Sequence, residues 1–169
     1  MSTASIAVLG TGALGSPIGG LLTRAGHDVV LIDQWAAHVE AMKTKGLRIT
    51  IGLQDDPAER FVVPVRAYHL YEAAALRPSF DVVFITCKSY DSQWLAQFIK
   101  PYLKEDGVVV SVQNSLNDEW IAPIVGEDRD IGCVLTAGGG ELIGPGDTWR
   151  DHLNNSYVLG ELDGRVTPR

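Results

Sequence analysis

The sequence is poor in cysteine and lacks long apolar runs, and each shortage excludes a class of protein. Its two cysteines, Cys87 and Cys133, lie far apart in apolar surroundings, so we interpret them as free thiols of a reducing compartment rather than as a disulfide. No run reaches the length that spans a membrane. No basic segment precedes the first apolar run, which argues against a signal peptide. These absences predict a cytoplasmic protein without a membrane partner.

Positive charge is also scarce, with 14 lysines and arginines against 21 aspartates and glutamates, giving a net charge of −7. This balance argues against a nucleic-acid partner or an anionic membrane surface. Any phosphate site must therefore be built locally, from backbone amides and one or two cations. Metal-ligand spacing and a Ser-His-Asp arrangement are lacking too. We expect no metal, and we assign surface or capping roles to the four histidines, His27, His38, His69 and His152.

Short apolar β-rich runs alternate with segments of helical spacing along most of the 169 residues, a length that suits one domain. Such alternation predicts an α/β fold of the Rossmann type, doubly wound around a mainly parallel sheet with right-handed crossovers. The predicted strands are Ser5–Leu9, Asp28–Asp33, Asp81–Thr86, Gly107–Gln113 and Ile131–Ala137. The predicted helices are Ala13–Ala25, Trp35–Lys45, Asp91–Leu103 and Asn117–Val125.

Three regions depart from this alternation. Two β-rich runs, Leu47–Ile51 and Phe61–Val65, flank the polar stretch 54–60, and we interpret them as a hairpin or a pair of short strands that forms a short β appendage, not as a core crossover. Residues 138–147 are rich in glycine and are predicted to form turns, whereas 154–161 contain one short β-like run. Residues 161–169 are polar and contain breakers, so we interpret them as a connection that leads elsewhere.

A glycine loop joins the first predicted strand to the first predicted helix. Gly10 permits a tight turn, Gly12 allows a pyrophosphate to approach the backbone, and Gly15 allows the helix to pack close to the strand. The free amides and the positive dipole end of the helix favour an anion there. The alternative is a tight turn without a ligand. The residues predicted to bind the pyrophosphate of NAD or NADP are Gly10, Thr11, Gly12, Ala13, Leu14 and Gly15.

Asp33 ends the second predicted strand, 18 residues after Gly15, close to the offset of about 20 residues expected for an acidic ribose ligand. A carboxylate at this position accepts hydrogen bonds from ribose hydroxyls and repels a 2′-phosphate. No lysine or arginine follows until Lys43, so the sequence favours NAD over NADP. The alternative role for Asp33 is to cap the helix that begins near Trp35.

Lys88 and Asn114 each follow an apolar strand at its carboxyl end, where ligands of open α/β sheets bind. A lysine supplies a flexible cation there, and an asparagine supplies both a donor and an acceptor. The alternative for each is a solvated loop residue or a helix cap. Position alone does not decide between these roles.

Three motifs together resemble the ketopantoate reductase family, also called 2-dehydropantoate 2-reductase. They are Gly10-Thr-Gly-Ala-Leu-Gly15, then Lys88-Ser-Tyr-Asp91, then Gln113-Asn-Ser-Leu-Asn117. The segment Gly160-Glu-Leu-Asp-Gly164 is similar to the one that precedes the family's second domain. The resemblance spans nearly the whole chain.

The resemblance implies reduction of 2-dehydropantoate to (R)-pantoate with NADPH, a step towards pantothenate and coenzyme A. It implies that Lys88 reaches the cofactor and helps to close the site, and that Asn114 contacts the substrate or the nicotinamide. Family members also carry a C-terminal helical domain with a catalytic lysine and a substrate-binding glutamate. We expect that domain to be absent here, with 161–169 as the start of its linker, so that the chain alone binds cofactor but turns over poorly.

Two residues depart from the family pattern. Ser115 stands where the family typically has glycine, and Asp33 stands where NADPH-preferring members have a basic or neutral residue. The resemblance to the family therefore implies NADP as the cofactor, whereas the negative charge of Asp33 favours NAD. The alternatives are a dehydrogenase for another 2-keto acid or a polyol, and a non-catalytic dinucleotide-sensing module.

Apolar surface left by a missing domain would favour self-association, including a homodimer.

Overall fold

Two β-sheets and five α-helices make up the described part of the computed structural model, which covers residues 4–76, 80–152 and 156–168. The strands are β1 (Ser5–Leu9), β2 (Asp28–Asp33), β3 (Leu47–Gly52), β4 (Pro57–Val63), β5 (Arg66–His69), β6 (Phe80–Ile85), β7 (Leu103–Ser111), β8 (Asp130–Ala137), β9 (Gly140–Gly144), β10 (Asp147–Arg150) and β11 (Ser156–Glu161). The helices are α1 (Gly15–Arg24), α2 (Ala36–Lys45), α3 (Leu70–Ala73), α4 (Ser92–Ile99) and α5 (Asp118–Val125).

The larger sheet has seven strands in the order β11-β8-β7-β6-β1-β2-β5. Each neighbouring pair is parallel except β11 with β8. From β1 the chain proceeds to β2 on one side and later to β6 on the other, so the carboxyl ends of β1 and β6 meet at a switch point. The predicted α/β fold with a mainly parallel sheet is confirmed.

The core lies on both faces of this sheet because its central strands are apolar along their whole length. In β1, Ala7 and Leu9 face the cluster formed with α3, α4 and α5, whereas Ile6 and Val8 face the cluster formed with α2 and the smaller sheet. All four side chains are almost fully buried. The central strands therefore form a rigid base for the loops at their carboxyl ends.

The smaller sheet has the order β4-β3-β10-β9. β3 and β4 pair in antiparallel fashion as a hairpin, one of the two predicted forms, although β4 begins at Pro57 and so includes residues 57–60 of the polar stretch. The prediction of turns over 138–147 was correct for residues 145–146 and wrong for β9, which occupies Gly140–Gly144. In β10 the polar side chains of Thr148 and Arg150 are the buried ones, so the strand lacks the short apolar run by which we recognised the others.

Other differences concern boundaries. The helix predicted over Asp91–Leu103 ends at Ile99 and passes into a 3-10 turn, Lys100–Tyr102, in which Pro101 lacks the amide that an α-helix would use. β7 then starts at Leu103 rather than at Gly107. Strand β5 had no prediction. Of the predicted run 154–161, residues 154 and 155 lie outside the described residues, as does Arg169 of the predicted connection.

Within the described ranges, no helix combines the length and apolarity needed to cross a membrane.

Candidate functional site

An open cleft of about 400 Å3 lies at the carboxyl ends of β1, β2, β6 and β7. This is the edge where open α/β sheets bind their ligands. Most of the residues predicted from the sequence line it, namely Gly10, Gly12, Ala13, Leu14, Asp33, Lys88 and Asn114. The other two, Thr11 and Gly15, are buried in the same loop. The structure thus brings the predicted residues together, although their roles in binding stay predictions.

The three glycines of the loop have different surroundings. Gly10 has a φ of +81°, and a Cβ on it would lie 2.8 Å from the Cα of Cys87. A Cβ on Gly15 would overlap the hydroxyl of Thr86 and the carbonyl of Gly10. A Cβ on Gly12 would meet nothing within 4 Å. Gly10 and Gly15 are therefore required by the fold, whereas Gly12 leaves open space at the cleft where another group can approach the backbone.

The carboxylate of Asp33 is tied to the glycine loop. Its Oδ2 accepts hydrogen bonds from the amide of Thr11 at 2.6 Å and from the hydroxyl of Thr11 at 3.0 Å. Its Oδ1 accepts the amide of Trp35 at 2.8 Å. Trp35 is the residue that precedes α2, so Asp33 stabilises the approach to the helix rather than capping its free amides. A carboxylate has about four acceptor sites, so Asp33 can still accept a further bond.

Lys88 and Asn114 are both exposed at the cleft. Among the described residues that line the cleft, Lys88 carries the only positive charge, and it has no ion pair with any described residue. The carbonyl of Asn114 accepts the side-chain amide of Asn117 at 2.6 Å, which fixes the loop and leaves the Asn114 side chain for other contacts. Next to it, Ser115 has a φ of +80°, a strained value for a residue other than glycine.

A buried polar network joins the loops after β6 and β7, and we predicted no role for its members. The side-chain amide of Gln113 donates to the carbonyl of Cys87 at 2.8 Å and to the hydroxyl of Ser92 at 2.7 Å. Ser92 in turn donates to Asn117 at 3.3 Å. Both Ser92 and Asn117 are almost fully buried. Gln113 and Asn117 lie in the motif we quoted, but only the tertiary structure shows that they hold Lys88 and Asn114 side by side.

Cys87 lines the cleft without offering a nucleophile. Burial, together with the charge of Asp91, raises the pKa of its thiol to about 11, so the thiol stays protonated at neutral pH. Cys87 and Cys133 are both free, as the sequence predicts.

Three of the four histidines have the surface or capping position that we predicted, with His69 at the N-cap of α3, and His38 does not. His27 and His152 are exposed, but His38 is fully buried and His69 nearly so. The expected surface role was wrong for His38, which lies among hydrogen-bond partners described below. His69 directly precedes α3, and its amide donates to Glu72 at 2.8 Å. Across the described residues no group of three or more metal-ligating side chains is present.

One family model matches the part of the chain that contains the glycine loop and the loops after β6 and β7. The model for ketopantoate reductase, PanE/ApbA, matches residues 6–164. The chain belongs to this family. A 2-dehydropantoate 2-reductase from Archaeoglobus fulgidus is 31% identical over 173 residues, covering 99% of this chain and 50% of the relative. One from a Nostoc species is 32% identical, covering 95% of this chain and 47% of the relative.

Solved structures agree with this assignment. The 2-dehydropantoate 2-reductase of Geobacter metallireducens is 29% identical, with a TM-score of 0.80, and the match covers 96% of this chain and 51% of that one. D-mandelate dehydrogenase, solved with NADH and anilino(oxo)acetate, is 25% identical, with a TM-score of 0.79, and the match covers 94% of this chain and 48% of that one. The chain spans about half the length of the relatives it matches.

Proposed function

We propose that this chain is the dinucleotide-binding part of an oxidoreductase that reduces a 2-keto acid, 2-dehydropantoate, to (R)-pantoate. The observation that carries the proposal is that one cleft of a ketopantoate reductase fold is lined by Gly12, Asp33, Lys88 and Asn114. The nicotinamide supplies the hydride that reduces the keto carbon. We place the protein in the cytoplasm, with a small keto acid as its partner.

The residues fit a nicotinamide dinucleotide. The backbone at Gly12 and the start of α1 offer amides and a positive dipole end to a pyrophosphate, without a side chain in the way. Asp33 accepts hydrogen bonds from the hydroxyls of the adenosine ribose. The ammonium of Lys88 attracts a phosphate or a substrate carboxylate, and the amide of Asn114 orients the substrate or the nicotinamide amide. The acid that protonates the developing alkoxide lies, in this proposal, in the other half of the family's length.

The choice of NAD over NADP depends on Asp33. Because its carboxylate is already fixed by Thr11 and Trp35, it cannot turn away from a 2′-phosphate without breaking these bonds. Repulsion between this carboxylate and a 2′-phosphate on the neighbouring ribose would weaken NADPH binding. D-mandelate dehydrogenase, which matches this fold, was solved with NADH, and this supports the proposal.

Titration of the chain with NADH and with NADPH tests both statements. We expect NADH to bind more tightly, and Asp33→Asn to shift the ratio of the two dissociation constants about tenfold towards NADPH, as removal of one repelling charge predicts. Asp55→Asn, in an exposed loop, is the matched control and should leave the ratio unchanged. Tighter binding of NADPH by the wild-type chain would contradict the role of Asp33, and binding of neither would contradict the proposed function.

A second candidate is a dehydrogenase for another 2-keto acid, favoured by the match to D-mandelate dehydrogenase. The two candidates share the cofactor cleft and differ in substrate. Turnover of 2-dehydropantoate against a panel of aromatic and aliphatic 2-keto acids, measured with the protein at its natural length, separates them. A preference for an aromatic keto acid would favour the second.

We also propose self-association, which exposed apolar residues of β8 and β11 support. Val134 and Val158 face each other across the β8–β11 pair and are each more than half exposed, and paired apolar side chains on one face of a sheet favour contact with another protein surface. Light scattering across a concentration series would show a dimer, and a monomer at all concentrations would contradict the proposal.

A further inference from the structure

His38 lies under the glycine loop, although it belongs to α2. Its side chain is fully buried, and its ring stacks on Trp35 with the ring centroids 5.6 Å apart. Burial lowers the pKa of His38, with the charge of Asp33 and a hydrogen bond to the Thr11 backbone opposing this shift. At neutral pH the ring is therefore uncharged and carries one N–H.

The hydrogen bonds of His38 fix which nitrogen carries that proton. The amide of Gly146, in the turn between β9 and β10, donates to Nδ1 at 2.9 Å, so Nδ1 must present a lone pair. Nε2 therefore carries the proton, and it lies 3.3 Å from the hydroxyl oxygen of Ser16. Ser16 donates its own hydrogen to the carbonyl of Thr11. One directed chain of donors thus runs from Gly146 through His38 and Ser16 to Thr11.

This chain fixes the peptide between Thr11 and Gly12. The amide of Thr11 is held by Asp33, and its carbonyl is held by Ser16, which is fully buried. Because a peptide bond is planar and trans, its carbonyl and the following N–H point in opposite directions. A Thr11 carbonyl held towards buried Ser16 directs the N–H of Gly12 the other way, and Gly12 lines the cleft.

We propose that His38 is a positioning residue for the glycine loop, which acts through Ser16 to keep the Gly12 amide available for the pyrophosphate of a nicotinamide dinucleotide. This inference rests on the proposed function, since it assigns a support to the same site. It also gives the smaller sheet a role at that site, because Gly146 orients the His38 ring. His38 is placed to support the loop rather than to contact the cofactor, so its effect must reach the ligand through Thr11, which it contacts both through Ser16 and by its own hydrogen bond to the Thr11 backbone.

Two substitutions at position 38 separate positioning from packing. In His38→Gln the terminal amide reaches Ser16 and donates to it, whereas in His38→Asn the oxygen accepts from Gly146 but no donor reaches Ser16. Both replace the ring by a smaller side chain, so both should lower the melting temperature to a similar extent. We expect His38→Asn to weaken NADH binding about three- to tenfold, the range of one net hydrogen bond, and His38→Gln to restore most of that loss.

Ser16→Ala and His27→Gln complete the set. Ser16→Ala removes the hydroxyl that holds Thr11, so it should weaken NADH binding as His38→Asn does, and the double variant should be no weaker than either alone. His27→Gln changes an exposed histidine and should leave binding unchanged. Equal losses in His38→Gln and His38→Asn, or no loss in Ser16→Ala, would overturn the inference. Wild-type protein that binds neither NADH nor NADPH would instead overturn the proposed function on which it rests.

A measurement on the unmodified chain tests the same inference without any variant. Nitrogen-15 NMR distinguishes a protonated ring nitrogen from an unprotonated one. We expect Nε2 of His38 to carry the proton at neutral pH. A proton on Nδ1 would contradict the directed chain of hydrogen bonds, whatever the variants show.

Discussion

The two halves of the larger sheet differ in how well their polar groups are satisfied. In the loop half, which comprises β1, β2 and residues 10–15, the Asp33 carboxylate accepts three hydrogen bonds. In the edge half, which comprises β7, β8 and β11, the Asp130 carboxylate is fully buried, and both of its oxygens lack a partner among the described residues. The strained Ser115 follows β7 as well. The polar groups of the loop half are thus held by hydrogen bonds, whereas the edge half holds a buried carboxylate without a described partner and a strained residue.

The largest effects are expected in the loop half, where two neighbouring glycines should respond in opposite ways. Gly15→Ala places a methyl group against Thr86 and Gly10, so we expect the free energy of unfolding to fall by about 1–3 kcal/mol. Gly12→Ala adds a methyl group to open space, so the free energy of unfolding should change by less than about 1 kcal/mol. The same methyl group would stand where the pyrophosphate approaches the backbone, so NADH binding should weaken tenfold or more. Thermal denaturation and NADH titration measure the two quantities. If Gly12→Ala bound NADH normally, the opening at Gly12 would not be the pyrophosphate site.

A pH-dependent effect on stability, similar in size to that of Gly15→Ala but without an effect on NADH binding, is expected from the edge half. Burial, with a contribution from the charge of Asp118, raises the pKa of Asp130 to about 7. The folded protein therefore holds this proton more tightly than the unfolded chain, whose value is 3.8. The stability that Asp130 contributes is present below pH 3.8 and is lost as the pH rises to about 7.

Asp130→Asn removes this titration. Relative to the wild type, its free energy of unfolding should rise between pH 4 and pH 8, by about 1–3 kcal/mol, because an ionised buried carboxylate without a partner is costly. Asp106→Asn, at an exposed position, is the control and should show no such change. Urea denaturation at several pH values measures the difference. A difference that stayed constant with pH would mean that Asp130 has a partner in solution.

The smallest effect is expected at Ser115. Its φ of +80° is one that glycine adopts without strain, so Ser115→Gly should raise the free energy of unfolding by up to about 1 kcal/mol. The loop after β7 would keep its conformation, and NADH binding should be unchanged. A loss of stability, seen in thermal denaturation, would show that the serine side chain compensates for the strain.

The sequence predicts the loop half better than it predicts the rest, and the reason is physical. β1 and β2 have the predicted bounds, because continuous apolar runs between glycines and charged residues have few other interpretations. The glycine loop and Asp33 follow from the local geometry of one strand-helix-strand unit. These features need only neighbours close in the chain.

The features that we missed depend on partners far away in the chain. The buried role of His38 requires Gly146, 108 residues later, and the network of Gln113 requires Ser92, 21 residues earlier. In β10 the inward-facing residues are Thr148 and Arg150, so hydropathy gives the wrong face. No local pattern reveals such contacts, because each side chain looks polar and solvated until the fold buries it.

The pairing of β10 with β3 has a consequence for how the molecule folds. Arg48 pairs with Asp147 across a separation of 99 residues, and closing so long a loop costs entropy before any contact is gained. The pairs of β1 with β2 and of β3 with β4 join shorter segments. We therefore expect the hairpin and the first strands to assemble early and β10 to dock late. The hydrogen bond from the Gly146 amide to His38 would then form only at the end of folding. We expect the glycine loop to reach its final conformation at that same late step.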